Sequence, residues 1–506
     1  MNTAQPFFLT SAIPYVNAEP HLGNALELVQ SDAVARYERA RGRDVFFSSG
    51  TDDNSLKNVR AAATEHTTPT ELVARHGAQF RWLAEKLDVT HDDFIHTASD
   101  PRHVPAVHAL WERCRAAGDV YRKTYRGLYC VGCEHFLRES EIASGGCPAH
   151  PEPLELLDED NWFFRLSRYE RPILEAIASD RLEILPKERK NEVCRFIEGG
   201  LEDFSISRSR ARAKGWGIPV PGDDSQIVYV WFDALANYLA VLGFPDGANV
   251  ARFWQSSGQR VHVIGKDIVR FHALYWPGIL LSAGLPLPTS IRVHGHITRD
   301  GKKLGKSLGN AIDPCALVQR YGVDAVRYYL LAHLHTSKDG DFREELLRGA
   351  YGSELAGKLG NLLQRVCALC EQNGVRFTPE EPLVSLDPAL LNAAQHTRSA
   401  VDTAVTEFAL HDAVRAIFEL VAVANRYADR SAPWQLAKAR REATTENDRA
   451  RADEGLRTSL SDLVQVLRIT AELLAPFLPR TARGIEQRLV PGPRLGEPLF
   501  PALRPA

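Results

Sequence analysis

Two short segments far apart in the chain carry the residue types that hold phosphate. The first is His21-Leu22-Gly23-Asn24, which follows the apolar run Phe7-Phe8-Leu9 and a polar loop and opens the amphipathic stretch Ala25 to Arg39. A helix entered this way points unpaired backbone amides at its own start, and a glycine there lets a ligand approach the main chain. His21 adds a side-chain donor. The second segment is Gly301 to Asn310, GKKLGKSLGN, a glycine-rich loop bearing Lys302, Lys303 and Lys306. Lysines on such a loop can swing onto a triphosphate and offset charge as it develops. Four residues alone are weak, because a polar first turn of a core helix explains HLGN equally well. Two phosphate elements bracketing one chain point to ATP, with Mg2+ arriving on the nucleotide, since no dedicated carboxylate cage is evident.

A third constellation is metal-binding. Cys130, Cys133, Cys147 and His150 read C-x2-C, thirteen residues, then C-x2-H, the ligand types and spacing of a tetrahedral zinc site. Four protein ligands leave no open position for substrate, so the predicted Zn2+ is structural, one per chain. Cys367 and Cys370 repeat the C-x2-C spacing, but on a helical pattern with no second pair nearby, and are read as core.

The elements that must position these residues alternate between strand and helix. Val45 to Ser48 is a second apolar strand, ending in Gly50-Thr51-Asp52-Asp53-Asn54-Ser55. Val261 to His272, VHVIGKDIVRFH, holds a third, with Gly265-Lys266-Asp267 at its carboxyl end, and Ile291 to Val293 a fourth, leading through His294 and Gly295 to the lysine loop. Ligands of open α/β sheets sit beyond the carboxyl ends of strands. Asp52 therefore shares an edge with His21, where it can meet an ammonium or simply cap a helix, and Asp267 can accept from ribose hydroxyls. Val228 to Tyr238 reads as strand into helix and brings Trp231 and Tyr238 to the same edge. Beyond about Arg348 the pattern is helical, with Leu456, Leu460, Leu463, Leu467 and Leu474 on one face of a bundle helix. Asn361 and Arg365 lie four apart on one helical face, and Trp434 follows the helix break Ala432-Pro433. An amide, a guanidinium and an aromatic are also the groups that read unpaired bases.

The HLGN and lysine segments resemble the HIGH and KMSKS signatures of class I aminoacyl-tRNA synthetases, and the surrounding text, including LGNLLQR and NRYADRSAPWQLAK, resembles the methionyl-tRNA synthetase family from Phe7 to about Leu489. The resemblance implies ATP-dependent ligation of L-methionine to tRNA(Met) through a methionyl adenylate. It places His21, Asn24, Lys303 and Lys306 in catalysis, and Gly23, Gly265, Asp267 and Lys306 on ATP. It places Ile13, Tyr15, Asp52, Arg208, Trp231, Leu235, Tyr238, Phe271 and His272 around methionine. Asn361, Arg365 and Trp434 match the residues that read a CAU anticodon. The implied fold is α/β: a Rossmann-type nucleotide-binding catalytic domain in two halves, 1–115 and 226–295. A connective insertion with the zinc knuckle spans 116–225, a stem-contact region with the lysine loop 296–347, and an all-α anticodon-binding helix bundle 348–506. Three positions depart from the family pattern: Asp53-Asn54-Ser55 for Glu-His-Gly, Leu304-Gly305 inside the lysine motif, and Leu235. Rival readings are a paralogue that adenylates a methionine-like amino acid, a second ligase that tolerates an inhibitor, or a catalytically dead RNA-binding protein.

Length and composition agree with an ordinary globular chain. With 506 residues, 44% hydrophobic and 25% charged, the protein has ample core for about three domains. A formal charge of −3 supplies no global attraction to nucleic acid, so any RNA contact is local. Eight irregularly spaced cysteines suit a reducing compartment with metal use, and no apolar run reaches membrane-spanning length. The expectation is a cytoplasmic monomer without a membrane partner.

Overall fold

The computed structural model describes residues 5–130, 135–137, 142, 146–147, 153–256, 258–304, 309–377, 386–489 and 492–503. Six parallel strands form the central sheet: β1 (Pro6–Ser11), β2 (Asp44–Thr51), β3 (Asp93–His96), β4 (Glu183–Leu185), β5 (Gln259–Gly265) and β6 (Ser290–His294), in the order β3-β2-β1-β5-β6-β4. The order reverses between β1 and β5, which pair directly, Leu9 against Val261 and Ser11 against Val263. A crevice opens at the carboxyl ends of strands where the order reverses. β1 is buried on both faces, as parallel strands covered by helices must be. Phe7 and Leu9 pack into a core shared with the helical C-terminal part, while Phe8 packs into the other core with Trp254 and Phe232.

The sheet contains two strands beyond the four read from the sequence. β3 is only four residues long, and β4 is three, inside the stretch 116–225 read as an insertion, yet it pairs with β6 as the edge of the central sheet. The rest of that stretch includes an antiparallel sheet of Val120–Cys130, Glu155–Phe164, His135–Leu137 and Phe204–Ser205. In the stretch 296–347, read as the stem-contact region, the short strand Gly340–Asp341 pairs with Ile297–Arg299.

Two helices place most of the candidate residues: α1 (Leu22–Ala40), which follows β1, and α2 (Val230–Ala240). The C-terminal part is helical among the described residues, with α3 (Asn361–Asn373), α4 (Leu410–Ser431), α5 (Pro433–Glu442) and α6 (Glu446–Leu474). Cys367 and Cys370 are fully buried on α3.

One buried charge joins the helical part to α1. Arg327 has no exposed surface; it pairs with Asp32 of α1 at 2.8 Å and donates to the carbonyls of Phe477, Leu87 and Pro476 at 2.8, 3.0 and 3.2 Å. A buried guanidinium needs such a full set of acceptors to offset its desolvation. No helix among the described residues is long and apolar enough to cross a membrane.

Candidate active site

The start of α1 is a reciprocal capping box. His21 Nδ1 accepts from the Gly23 amide at 3.1 Å, and Asn24 Oδ1 accepts from the His21 amide at 3.0 Å. The imidazole folds back over the main chain so closely that a Cβ on Gly23 would lie 2.9 Å from His21 Cε1. Gly23 is thus required by the His21 rotamer as well as by access to the backbone. The local explanation of HLGN and the ligand-binding one are compatible: one cap fixes the side chains that border the crevice.

The lysine segment reaches the same place. The Leu22 amide donates to the Ile312 carbonyl at 3.0 Å, tying the first turn of α1 to the chain that leaves the loop. Lys302 and Lys303 form a two-residue strand against Ile297–Arg299. Leu304, one of the departures from the family pattern, is buried in the core that contains α1, an apolar anchor for the hairpin. Lys306 lies outside the described residues. Lys303 Nζ pairs with Asp267, whose other oxygen lies 3.1 Å from His296 Nε2. Burial and the positive charge of Lys303 push His296 down to about 4, so its ring is neutral near pH 7. Lys266 pairs with Asp339 at 2.7 Å. A cavity of about 430 Å³ opens beside Asp267, between Lys266, Arg270 and Leu274 on one wall and Glu192 and Phe196 on the other.

A second cluster lies along α2. Trp231 and Phe271 are stacked, with centroids 3.7 Å apart and planes 3° from parallel, and Tyr15 meets Trp231 edge-on at 6.5 Å. Leu235, Tyr238 and His272 are buried behind them. Tyr238 Oη lies 2.8 Å from His272 Nε2, and His272 Nδ1 lies 3.0 Å from the Ile268 carbonyl. A carbonyl only accepts, so Nδ1 carries the proton and Nε2 accepts from the tyrosine. Burial holds the His272 pKa down to about 4, which keeps the ring neutral. Ile13 belongs to the loop between β1 and α1 and is partly buried.

Asp52 ends the edge of this cluster. It is buried and makes a parallel bridge with Tyr15, with its amide donating to the Pro14 carbonyl at 2.9 Å. Asn54 and Ser55, two of the departures from the family pattern, both have partners within the protein. Asn54 Nδ2 donates to Asp233 Oδ2 of α2 at 2.9 Å, the other Asp233 oxygen is bonded to the buried His103, and Ser55 caps Leu56–Thr64. Burial pushes the Asp53 carboxyl up to about 7. Arg208 stands one layer further out, its Nη1 on Ser205 Oγ at 2.8 Å and the Ser207 carbonyl at 2.7 Å, and its guanidinium 4.3 Å from the Tyr229 ring centroid. With Asn54, Tyr129 and Trp216 it lines a small cavity of about 40 Å³ rather than the stacked cluster itself.

Of the three C-terminal candidates, Asn361 and Trp434 are exposed and Arg365 is half-buried. Ala432 takes a left-handed conformation, φ 43°, which breaks the chain between α4 and α5 and brings Trp434 beside α3. Arg365 lies 4.6 Å over the Trp434 ring and 3.6 Å from Asp429. Asn361 is exposed one turn before Arg365. Of the zinc candidates, Cys130 is buried at the end of its strand and Cys147 is partly buried, whereas Cys133 and His150 lie outside the described residues. No group of three metal-binding side chains occurs among the described residues.

The sequence reading missed Glu27 and gave His294 and His296 no role. His294 Nε2 lies 2.9 Å from Glu27 Oε2 at the crevice. The visible signal was the His-x-His spacing at a strand end, and the acidic residue one turn into α1.

Comparison with known proteins agrees with this arrangement. The family model for tRNA synthetases class I (M) matches residues 7–155 and 150–367. A methionine–tRNA ligase of Brucella suis is 40% identical over 483 residues, 94% of this chain and 90% of its own length. The solved methionyl-tRNA synthetase of Mycobacterium tuberculosis in complex with methionyl-adenylate superposes with a TM-score of 0.90 at 37% identity, covering 98% of this chain and 100% of that one. The apo form of the same synthetase gives 0.84 at 36%, with 99% of each covered. The sheet order, the convergence of α1 with the lysine hairpin, and these matches over nearly the whole chain lead to one assignment: the chain belongs to the methionine–tRNA ligase family of class I tRNA synthetases.

Proposed function

We infer that the protein ligates L-methionine to a tRNA(Met) with a CAU anticodon, in two steps through methionyl adenylate. The observation that carries this is the meeting of α1 and the lysine hairpin at the sheet crevice, joined from Leu22 to Ile312. In this reading the methionine carboxylate attacks the α-phosphate of ATP and pyrophosphate leaves. The terminal ribose hydroxyl of the tRNA then attacks the aminoacyl carbonyl, the acyl–phosphate bond breaks, and AMP and a proton leave. No covalent intermediate with the protein is needed, so catalysis is positioning and charge stabilisation.

His21, Asn24 and the helix start at Gly23 hold the triphosphate, with Lys303 and Lys306 closing on it. Asp267 and the Gly265 backbone hold the ribose side, and Mg2+ enters with the nucleotide. Asp52 receives the substrate ammonium. The side chain of methionine lies among Ile13, Tyr15, Trp231, Leu235, Tyr238, Phe271 and His272, a neutral and mostly apolar wall suited to a thioether. Arg208 supports this pocket from behind Tyr229. Asn361, Arg365 and Trp434 read the anticodon by edge hydrogen bonds and stacking. The three thiols and one imidazole of Cys130, Cys133, Cys147 and His150 match zinc in donor type and number, and would hold it as a structural ion.

ATP–pyrophosphate exchange over a panel of amino acids, run beside aminoacylation of a CAU-anticodon tRNA, tests the reading. Exchange with methionine and charging of that tRNA are expected. Exchange without charging indicates an adenylating paralogue, and no exchange with any amino acid overturns the assignment.

A further inference from the structure

Glu27 of α1 and His294, the last position of β6, are in direct contact beside the crevice assigned to the nucleotide. Glu27 is one turn beyond Asn24, on the face that borders the crevice. His294 is 5% exposed and is paired in register with Gly265 of β5. Its ring lies against that glycine, 3.6 Å from where a Cβ would stand. The ring therefore touches the backbone of the segment assigned to ATP.

Both nitrogens meet acceptors. Nε2 lies 2.9 Å from Glu27 Oε2, and Nδ1 lies 2.8 Å from the Gly295 carbonyl. A carbonyl oxygen cannot donate, and an ionised carboxylate cannot either, so both ring nitrogens must carry protons. The charged ring is buried, which is tolerable only with such a complete pair of charge-assisted bonds.

We propose that Glu27 and His294 form a buried carboxylate–imidazolium pair that locks α1 to β6 and β5 at a fixed separation, making His294 a positioning residue for ATP. The proposal rests on the assignment of the crevice to ATP. Burial opposes the charge, but the hydrogen bond and charge of Glu27, the Gly295 carbonyl and the nearby Asp267 together hold the imidazole pKa above its ordinary value. The titratable and charged groups around the pair are Asp267 and His296 next to Gly265, Lys303 on the hairpin, and Tyr238 on α2, whose own pKa is raised by burial and by Glu27. Stability from the pair is complete below the unfolded histidine pKa and disappears as pH rises through the raised folded value.

Two measurements on the full chain test this. Nitrogen-15 NMR of the ligand-free protein, with His294 assigned by comparison with His294→Asn, reads the ring directly. The expected spectrum at pH 7 is that of an imidazolium, reverting to neutral imidazole in Glu27→Gln. A neutral His294 ring at pH 7 in the unchanged protein overturns the pair. In pyrophosphate exchange, Glu27→Gln and His294→Asn are expected to raise the ATP KM about 10-fold to 100-fold by misplacing α1, with the methionine KM little changed. In the unchanged protein the ATP KM should climb as pH rises through the His294 pKa, and this climb should move to lower pH in Glu27→Gln. An ATP KM that is flat with pH in the unchanged protein and no higher in either variant overturns the positioning role even where the NMR shows the charge. Absence of exchange with methionine in the unchanged protein instead removes the ATP assignment and leaves the NMR result standing.

Discussion

Lys303 and Asp267 are paired with each other in the ligand-free chain, although one is assigned to the triphosphate of ATP and the other to its ribose. Both side chains are about half exposed, so the pair is a weak, exchangeable contact. In the proposed reading ATP offers each of them a better partner. Lys303→Ala is expected to slow adenylate formation about 100-fold to 1,000-fold, the loss typical of one donor aimed at developing charge. Equilibrium dialysis with methionine should find its binding unaltered. A loss confined to methionine binding would exclude the assigned role.

Arg365 over Trp434 gives a prediction at the other end of the molecule. The stacked guanidinium holds the indole where an unpaired base can slide against its open face. Trp434→Ala should remove about 1 to 3 kcal/mol of stacking, roughly fivefold to over a hundredfold in charging efficiency. Pyrophosphate exchange should stay at its original rate. Arg365→Ala should weaken charging in the same direction, and equal charging by all three proteins would rule out anticodon readout here.

The zinc assignment predicts one zinc per chain by metal analysis of the purified protein. Cys130→Ser or Cys147→Ser should release it, and the antiparallel sheet around Val120–Cys130 should become sensitive to proteolysis while the central sheet remains resistant. Stoichiometric zinc persisting in both variants would show that these thiols are not ligands.

His272 sets a pH dependence whose sign follows from its environment. Burial depresses its folded pKa to about 4, whereas in the unfolded chain the ring titrates near 6.5. Between those values the unfolded chain takes up a proton that the folded protein refuses. The contribution to stability is therefore complete above about pH 6.5 and is lost as pH falls toward 4. Between pH 7 and pH 5 it should amount to about 2 kcal/mol. Glutamine at this position can keep both hydrogen bonds without titrating. His272→Gln should therefore show a smaller drop in urea midpoint between pH 7 and pH 5 than the unchanged protein. Parallel drops in the two proteins would contradict the neutral, buried ring.

What the sequence revealed and concealed follows from what each residue answers to. HLGN and the lysine loop were legible because helix starts and glycine-rich turns obey local rules, and the Trp231 to Tyr238 segment because its pattern is strand into helix. β4 was concealed inside the insertion, since three residues carry too little periodicity to declare that they join a sheet whose other strands lie about eighty residues away or more. The Glu27–His294 pair, the Lys303–Asp267 pair and the network of Asn54, Asp233 and His103 join residues that no spacing rule connects. Arg208, placed by resemblance near the substrate, lies on the strand Ser207–Ser209, which pairs with Asp223–Val228, and its guanidinium is 4.3 Å from the Tyr229 ring centroid.

The pairing of β1 with β5 also constrains how the protein comes off the ribosome. Phe7 hydrogen-bonds in register opposite Gln259, so one edge of the most apolar strand has no native neighbour while everything between them is made. At about 5 to 20 residues per second, synthesis leaves that edge uncovered for roughly ten to fifty seconds. Until then neither the crevice nor its capping box has a second wall, and the nascent chain presents a bare strand edge of the kind that recruits other chains. The same register that builds the site at the centre of the fold therefore makes the N-terminal half dependent, during its own manufacture, on something else to shield it.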